Sequence, residues 1–256
     1  MVTTEKIRDL SQRVDEFNAD IKARYRNPIK KRRRGQKEIV FTMGLPAAGK
    51  TTLVNKRYGK KKGWEIIDSD LISVALPGYD PNDPSKTHTR AEEMAEDLYQ
   101  NTLRQRDNPN IVLDSTGIKI SKITRRIRDA RFAGYHVKLL YVTVPLEISL
   151  VRNAKRDRHV PRSIIMDKAR DVRSAFDQVS RLVDQVEVFD NAPKGKALKR
   201  EIKSGWGMEK ADYVPLDMVG TYGNPSPKST APPASPRSKR ASRRCPASSM
   251  PASTCR

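Results

Sequence analysis

The chain has 256 residues, 36% hydrophobic and 32% charged, with 51 Lys plus Arg against 30 Asp plus Glu for a formal net charge of +21. That length holds one α/β domain with appendages or two small domains. No apolar run approaches the roughly 20 residues a membrane span needs, and Met1 to Lys6 lack the apolar stretch of a secretory signal, so the cytoplasm is the expected location, with no membrane partner.

Taken in order, Ile7, Leu10, Val14, Phe17 and Ile21 recur at three- and four-residue steps, which predicts an amphipathic helix over residues 5 to about 25 with Thr4 as a candidate N-cap. Its apolar stripe is expected to pack on the domain or on a second copy. A basic linker follows, Asn27 to Gly35, able to lie along a phosphate backbone or to serve as a solvated hinge. Glu38 to Met43 then reads as a strand. Immediately after it, Gly44-Leu45-Pro46-Ala47-Ala48-Gly49-Lys50-Thr51 fits G-x-x-x-x-G-K-[ST] without a gap, and Thr51 to Lys56 can open a helix. Strand, glycine loop and helix start are what phosphate binding requires. The glycines let the backbone curl with its amides inward, and the helix N-terminus adds its positive end. Lys50 is placed to reach the β and γ phosphates, and the Thr51 hydroxyl to ligate Mg²⁺. Thr52 completes the candidate nucleotide-binding run.

The turn Gly59-Lys60-Lys61-Lys62-Gly63 leads into a second strand, Trp64 to Asp68, whose carboxyl end carries Asp68 and Asp70. Ligands of open parallel sheets collect beyond that edge. Transfer of a γ-phosphoryl group to an alcohol needs a base that accepts the hydroxyl proton, and Asp70 is the candidate, doubling as N-cap of a helix over Leu71 to Leu76. A breaker-rich loop, Pro77 to Pro84, precedes a long helix through about Arg106 with Met94, Leu98 and Leu103 expected inside and His88 on its surface. Asn110 to Gly117 reads as a third strand and a polar turn; Asp114 there suits either a Mg²⁺-binding acid or an anchor for the acceptor.

Ser121 to Phe132 predicts a crossover helix with Ile123, Ile127 and Ala130 inside and Lys122, Arg125, Arg126, Arg128 and Arg131 around the rest. Val137 to Val144 is the fourth strand, with Pro145 opening a helix to about Lys155. Five cations between Arg152 and Arg162 form a basic flap over the nucleotide, in which Arg152 and Arg156, one turn apart, offset charge on the transferring group; an ordinary solvated helix end reads the same way. A helix over Ser163 to Val183 and a fifth strand over Val186 to Asn191 complete the domain. Beyond it, residues 192–223 form an extension with a short helix from Lys194 to Lys203, and 224–256 a basic tail with the composition of a disordered segment, which contains Cys245 and Cys255. The charge is uneven: residues 1–37 hold 12 basic and 5 acidic side chains, 38–223 hold 32 and 25, and the tail seven and none. A polyanion is the natural partner, because cations along a chain release counterions condensed on nucleic acid. Basic tails also serve solubility alone.

Together the Gly44 to Thr51 loop, Ile67-Asp68-Ser69-Asp70, Asp114-Ser115-Thr116-Gly117 and the Arg152 to Pro161 flap resemble the P-loop kinase group that contains phage polynucleotide kinase and the zeta toxins. The likeness covers about residues 38–191. It implies a three-layer P-loop NTPase sandwich of kinase type around a five-stranded parallel sheet, with an N-terminal helix and a basic tail appended. It implies Asp70 as general base. Arg152-Asn153-Ala154-Lys155-Arg156 and Val160-Pro161 are similar to the lid of phage polynucleotide kinase, which makes Arg152 and Arg156 lid arginines on ATP. Where that kinase places an arginine for the acceptor's phosphate, this chain has Ser73. The turn around Asp114 and Thr116 resembles the acid-Gly-Thr-Gly of the zeta toxins and, with Asp68, marks the acceptor side. The resemblance thus implies ATP and Mg²⁺ as cofactors and a hydroxyl on nucleic acid as acceptor, DNA before RNA, at a 5′ end or on a hydroxymethylated pyrimidine as in the phage kinases acting on hydroxymethyluracil. The alternatives are a nucleotide-sugar kinase taking UDP-N-acetylglucosamine and a non-catalytic nucleic-acid-binding P-loop protein.

Overall fold

In a computed structural model that describes residues 4–26, 32–81, 83, 85–105, 107, 109–156 and 160–194, five strands form one parallel sheet in the order β2-β3-β1-β4-β5. They are β1 (Glu38–Met43), β2 (Trp64–Asp68), β3 (Asn110–Asp114), β4 (His136–Thr143) and β5 (Gln185–Asp190). A parallel sheet is covered on both faces, so its inner strands carry apolar residues at consecutive positions rather than alternately. Ile39 to Phe41, Ile111 to Leu113 and Leu139 to Val142 are all buried accordingly. The register aligns Asp68 with Asp114 and Met43 with Tyr141, so the carboxyl ends of the strands lie along one edge.

The helices are α1 (Thr4–Arg24), α2 (Lys50–Tyr58), α3 (Ser69–Ala75), α4 (Ser85–Arg104), α5 (Ile120–Phe132), α6 (Leu146–Ala154) and α7 (Arg162–Ser180). The stripe of α1 packs on the domain itself, against α6, α7 and β5. Phe17 meets Tyr141 at 5.9 Å and Phe176 at 5.6 Å between ring centroids, both edge to face, and Asn18 donates through Nδ2 to the Val144 carbonyl at 3.2 Å. Among the described residues no helix is long and apolar enough to cross a membrane.

Three expectations change. Helix α4 is turned relative to its predicted face: Met94 and Leu98 are exposed at 43% and 37%, while Ala91, Ala95, Tyr99 and Thr102 are buried. The two alanines let α4 approach closely, and Tyr99, its hydroxyl donating to the Arg126 carbonyl, fills the contact. Arg126 is not on the outer side of α5: it is buried, with Nε donating to Glu96 at 2.8 Å. The cap of α3 is Asp68 rather than Asp70, because the Asp68 Oδ1 accepts the Asp70 N–H at 2.8 Å. His136 is buried at the start of β4, beside Gln185 and Asp184. The helix expected from Lys194, the tail and both cysteines lie outside the described residues, as do Asn27 to Lys31 and Asp157 to His159.

Candidate active site

The loop between β1 and α2 has the backbone its glycines permit. Gly44 sits at φ +142°, where a Cβ would come within 2.5 Å of the Val142 carbonyl oxygen, and Gly49, at φ +88°, is the N-cap of α2. Ala47 also has a left-handed φ, at +55°. Neighbouring elements hold the loop. Asn191, just past β5, donates through Nδ2 to the Ala48 carbonyl at 2.8 Å, Ser149 on α6 donates to the Pro46 carbonyl at 2.6 Å, and the Gly44 N–H reaches the Thr116 carbonyl at 3.3 Å. No side chain caps α2, so its first-turn amides face the space above the loop with the positive end of the helix behind them.

Lys50, 8% exposed, donates through Nζ to the carbonyls of Gly44 at 3.1 Å and Leu45 at 2.8 Å. Burial pushes its ammonium down to about 8; Asp114 and Asp70 oppose that, while Lys168 and Arg156 add to it. A triphosphate would set anionic oxygens against this desolvated cation, whose two hydrogen bonds go to backbone carbonyls.

The next residue, Thr51, donates through Oγ1 to Asp114 Oδ2 at 2.5 Å, and from β1 the buried Thr42 donates to Asp114 Oδ1 at 2.8 Å while accepting the Ser115 N–H at 2.8 Å. Asp68 stands beside Asp114 on the next strand. Burial, then repulsion from Asp114, pushes its carboxyl up to about 6 against the Asp70 N–H bond that lowers it. Asp70 itself, in the first turn of α3, is exposed. On the far side, Lys168 of α7 donates through Nζ to Thr116 Oγ1 at 3.1 Å. Burial lowers its pKa, Lys119 adds to that, and Asp70 opposes it, so the ammonium lies within electrostatic reach of Asp70 as well as of Lys50.

The structure therefore brings Lys50, Thr51, Asp68, Asp70, Asp114 and Thr116 to one edge. Of the two flap arginines, Arg152 donates from Nη2 to the Asn191 carbonyl at 3.2 Å, and Arg156, exposed, acts on Lys50 through its charge. Asn153 is bound to Val160 twice, donating to its carbonyl at 2.8 Å and accepting its N–H at 3.0 Å. Thr52 is exposed on α2. Lys168, Thr42, Asn191 and Ser149 were not legible as site residues. Only Lys168 left a trace, as a cation bordering the buried stripe of Ile165, Met166, Ala169 and Val172.

Among the described residues no three His, Cys, Asp or Glu side chains gather into a cage for a metal ion. Mg²⁺ is commonly held by one or two protein oxygens together with substrate phosphates, and the Thr51 hydroxyl with the Asp114 carboxylate fits that donor set.

The sequence profile of the AAA domain family matches residues 39–178, more than half of the chain. Among solved structures, the fold is similar to one from the PezAT chromosomal toxin–antitoxin system of Streptococcus pneumoniae, at a TM-score of 0.53 and 14% identity over 79% of this chain and 96% of that one. It is also similar to the AvrRxo1-ORF1:AvrRxo1-ORF2 complex with sulphate ions (TM-score 0.51, 17% identity, 73% and 62% of the two chains) and to the same complex with ATP (0.51, 16%, 73% and 61%). At such identities the likeness is one of fold. No protein of curated function matches. Sheet order, glycine loop and the family match together make this a P-loop fold of kinase type.

Proposed function

The chain belongs to the AAA domain family, and from that premise we propose that it is an ATP- and Mg²⁺-dependent kinase that phosphorylates a hydroxyl on nucleic acid, DNA before RNA. The observation that carries this reading is the placement of a buried P-loop lysine, a hydroxyl-bound acid and an exposed carboxylate on one sheet edge: Lys50, Asp114 with Thr51, and Asp70. The loop amides and Lys50 bind the triphosphate, Lys50 exchanging its two carbonyl contacts for phosphate oxygens. Thr51 and Asp114 hold Mg²⁺, which screens the phosphate charge when bound. Asp70 orients the acceptor and takes its proton as the new O–P bond forms and the bond from the γ phosphorus to the β,γ-bridging oxygen breaks, with ADP leaving. Arg152 and Arg156 approach from the flap to meet developing charge on the leaving group.

Within that reading, a hydroxymethylated base is favoured over a 5′ end. Ser73 is fully buried, its hydroxyl 2.7 Å from that of Thr87, so this position serves the α3–α4 contact and offers nothing to a terminal phosphate. A second reading, transfer to a nucleotide sugar, is supported by Thr116 and Lys168, a hydroxyl and a cation side by side opposite Asp70, where an acceptor's own diphosphate would find a partner. Incubation with γ-labelled ATP and, separately, hydroxymethyluracil-containing DNA, ordinary 5′-hydroxyl DNA and UDP-N-acetylglucosamine tests both. Label on the modified DNA is expected; label on the sugar nucleotide alone would replace the first reading with the second, and label on none would end both.

A further inference from the structure

The opposite edge of the sheet, where the strands begin, carries a second concentration of charge that phosphoryl transfer does not use. Residues 32–37 and the turn at 59–63 are distant in sequence, but Asn110 at the start of β3 joins them. Its Oδ1 accepts the Glu38 N–H at 2.8 Å and Arg32 Nη1 at 3.5 Å, while its backbone N–H and Nδ2 donate to the Gly63 carbonyl at 2.9 and 3.3 Å. Gln36 ties the first segment to the Gly134 carbonyl at 3.3 Å. On this framework Arg32, Arg33, Arg34, Lys37, Lys60, Lys61 and Lys62 are all exposed.

Glu38 is the one carboxylate in residues 32–38 and 59–63, and Arg32 pairs with it at 3.3 Å. Lys61 lies over the Trp64 ring at 4.7 Å, and that ring packs on Tyr58 at 4.4 Å. Arg33, Arg34, Lys37, Lys60 and Lys62 form no ion pair with any described residue. Nearby, Asp184 pairs with Arg131, and exposed Arg104 and Asp107 offset each other in charge. The other cation-rich surface, on α5, is different in kind: Glu92 faces Lys119 and Lys122, and Glu96 faces Arg125 and Arg126.

We propose that this amino edge binds the phosphate backbone of nucleic acid without regard to sequence, at a face separate from the transfer site and about 17–20 Å from it, the length of strands of this size. Duplex DNA carries a charge roughly every 1.7 Å and releases condensed counterions to such cations, and contacts to phosphate position a protein without reading bases. An anionic membrane would also attract the charge, but interfacial binding draws on inserted apolar side chains, and residues 32–37 and 59–63 have none. The face rests on charge and geometry alone and stands whether or not nucleic acid is the phosphate acceptor.

The test uses the full chain with Arg33→Gln, Arg34→Gln, Lys60→Gln and Lys62→Gln combined, which leaves Arg32 and Lys61 in their contacts. Fluorescence anisotropy with a short labelled duplex, repeated across salt concentrations, reads the slope of log K against log salt. The expected result is a slope shallower by about three to four with an unchanged Tm, since each lost phosphate contact removes about one. The control, Lys119→Gln with Lys122→Gln and Arg125→Gln on α5, is expected to move the slope far less. A wild-type slope in the first variant overturns the proposal. So does an equal loss in both, which would report net charge rather than a face, or a first variant that keeps its DNA affinity but no longer binds phosphatidylserine vesicles. Because no phosphate transfer is measured, failure here leaves the kinase reading untouched, and absence of kinase activity leaves this result standing.

Discussion

The two edges of one sheet hold charge in opposite ways. At the carboxyl edge, polar side chains are buried and interlocked: Asp114 accepts from Thr42 and Thr51, Asp68 caps Asp70, Lys50 is folded onto its own loop and Lys168 onto Thr116. At the amino edge, five cations stand in solvent and form no ion pair with any described residue. Buried groups act through short distances in a weak dielectric, where moving one atom changes the energy by kilocalories; exposed cations act additively, each weakly, and are screened by salt. Single substitutions should therefore matter at the first edge, and only combined ones at the second.

The sharpest break is at the base. Asp70→Asn is expected to lower the turnover rate by roughly 10²- to 10⁴-fold, the usual contribution of positioned proton transfer, with ATP affinity intact by calorimetry; unimpaired turnover would remove Asp70 from that role. Next, Gly44→Ala puts a methyl group against a backbone carbonyl that cannot swing aside, and a cost on the order of 3 kcal/mol is expected in denaturant unfolding, accompanied by loss of ATP binding. Lys168→Met should reduce transfer roughly 10- to 100-fold through the acceptor KM and the turnover rate, leaving ATP affinity near wild type, with partial recovery in Lys168→Arg. An unchanged acceptor KM would reduce Lys168 to a structural role.

The smallest effect is one of stability and pH. With its carboxyl near 6 against an ordinary 3.8, Asp68 takes up a proton more readily folded than unfolded. Its favourable contribution is present below about pH 4 and lost as pH rises through 6. Asn retains the capping oxygen without the charge. Asp68→Asn is thus expected to stabilise the protein at pH 7 by on the order of 2 kcal/mol and to converge with wild type near pH 4, read as Tm at the two pH values.

Much of this was legible because the signals are local. A glycine loop between an apolar run and a helix start announces itself wherever it occurs, and β1, β2 and β3 have the bounds their apolar residues and flanking turns suggest. Where the reading slipped, the deciding contact came from another element. Met94 and Leu98 look like core until Ala91 and Ala95 turn α4 the other way, and Arg126 looks solvated until Glu96 arrives from α4. Periodicity says that a helix has a face, but the partner chooses which.

The amino-acid sequence by itself determined the phosphate loop, the strand ends bearing Asp68, Asp70 and Asp114, and the excess of positive charge, because backbone freedom, apolar runs and charge are properties of neighbouring residues. Tertiary structure alone decided that Lys168 reaches Thr116, that Asn191 and Ser149 hold the loop, and that Asn110 sets the basic segments at 32–37 and 59–63 side by side. The physical reason is reach: a hydrogen bond acts over about 3 Å, and residues 47 to 143 positions apart come that close only after the sheet has been laid down.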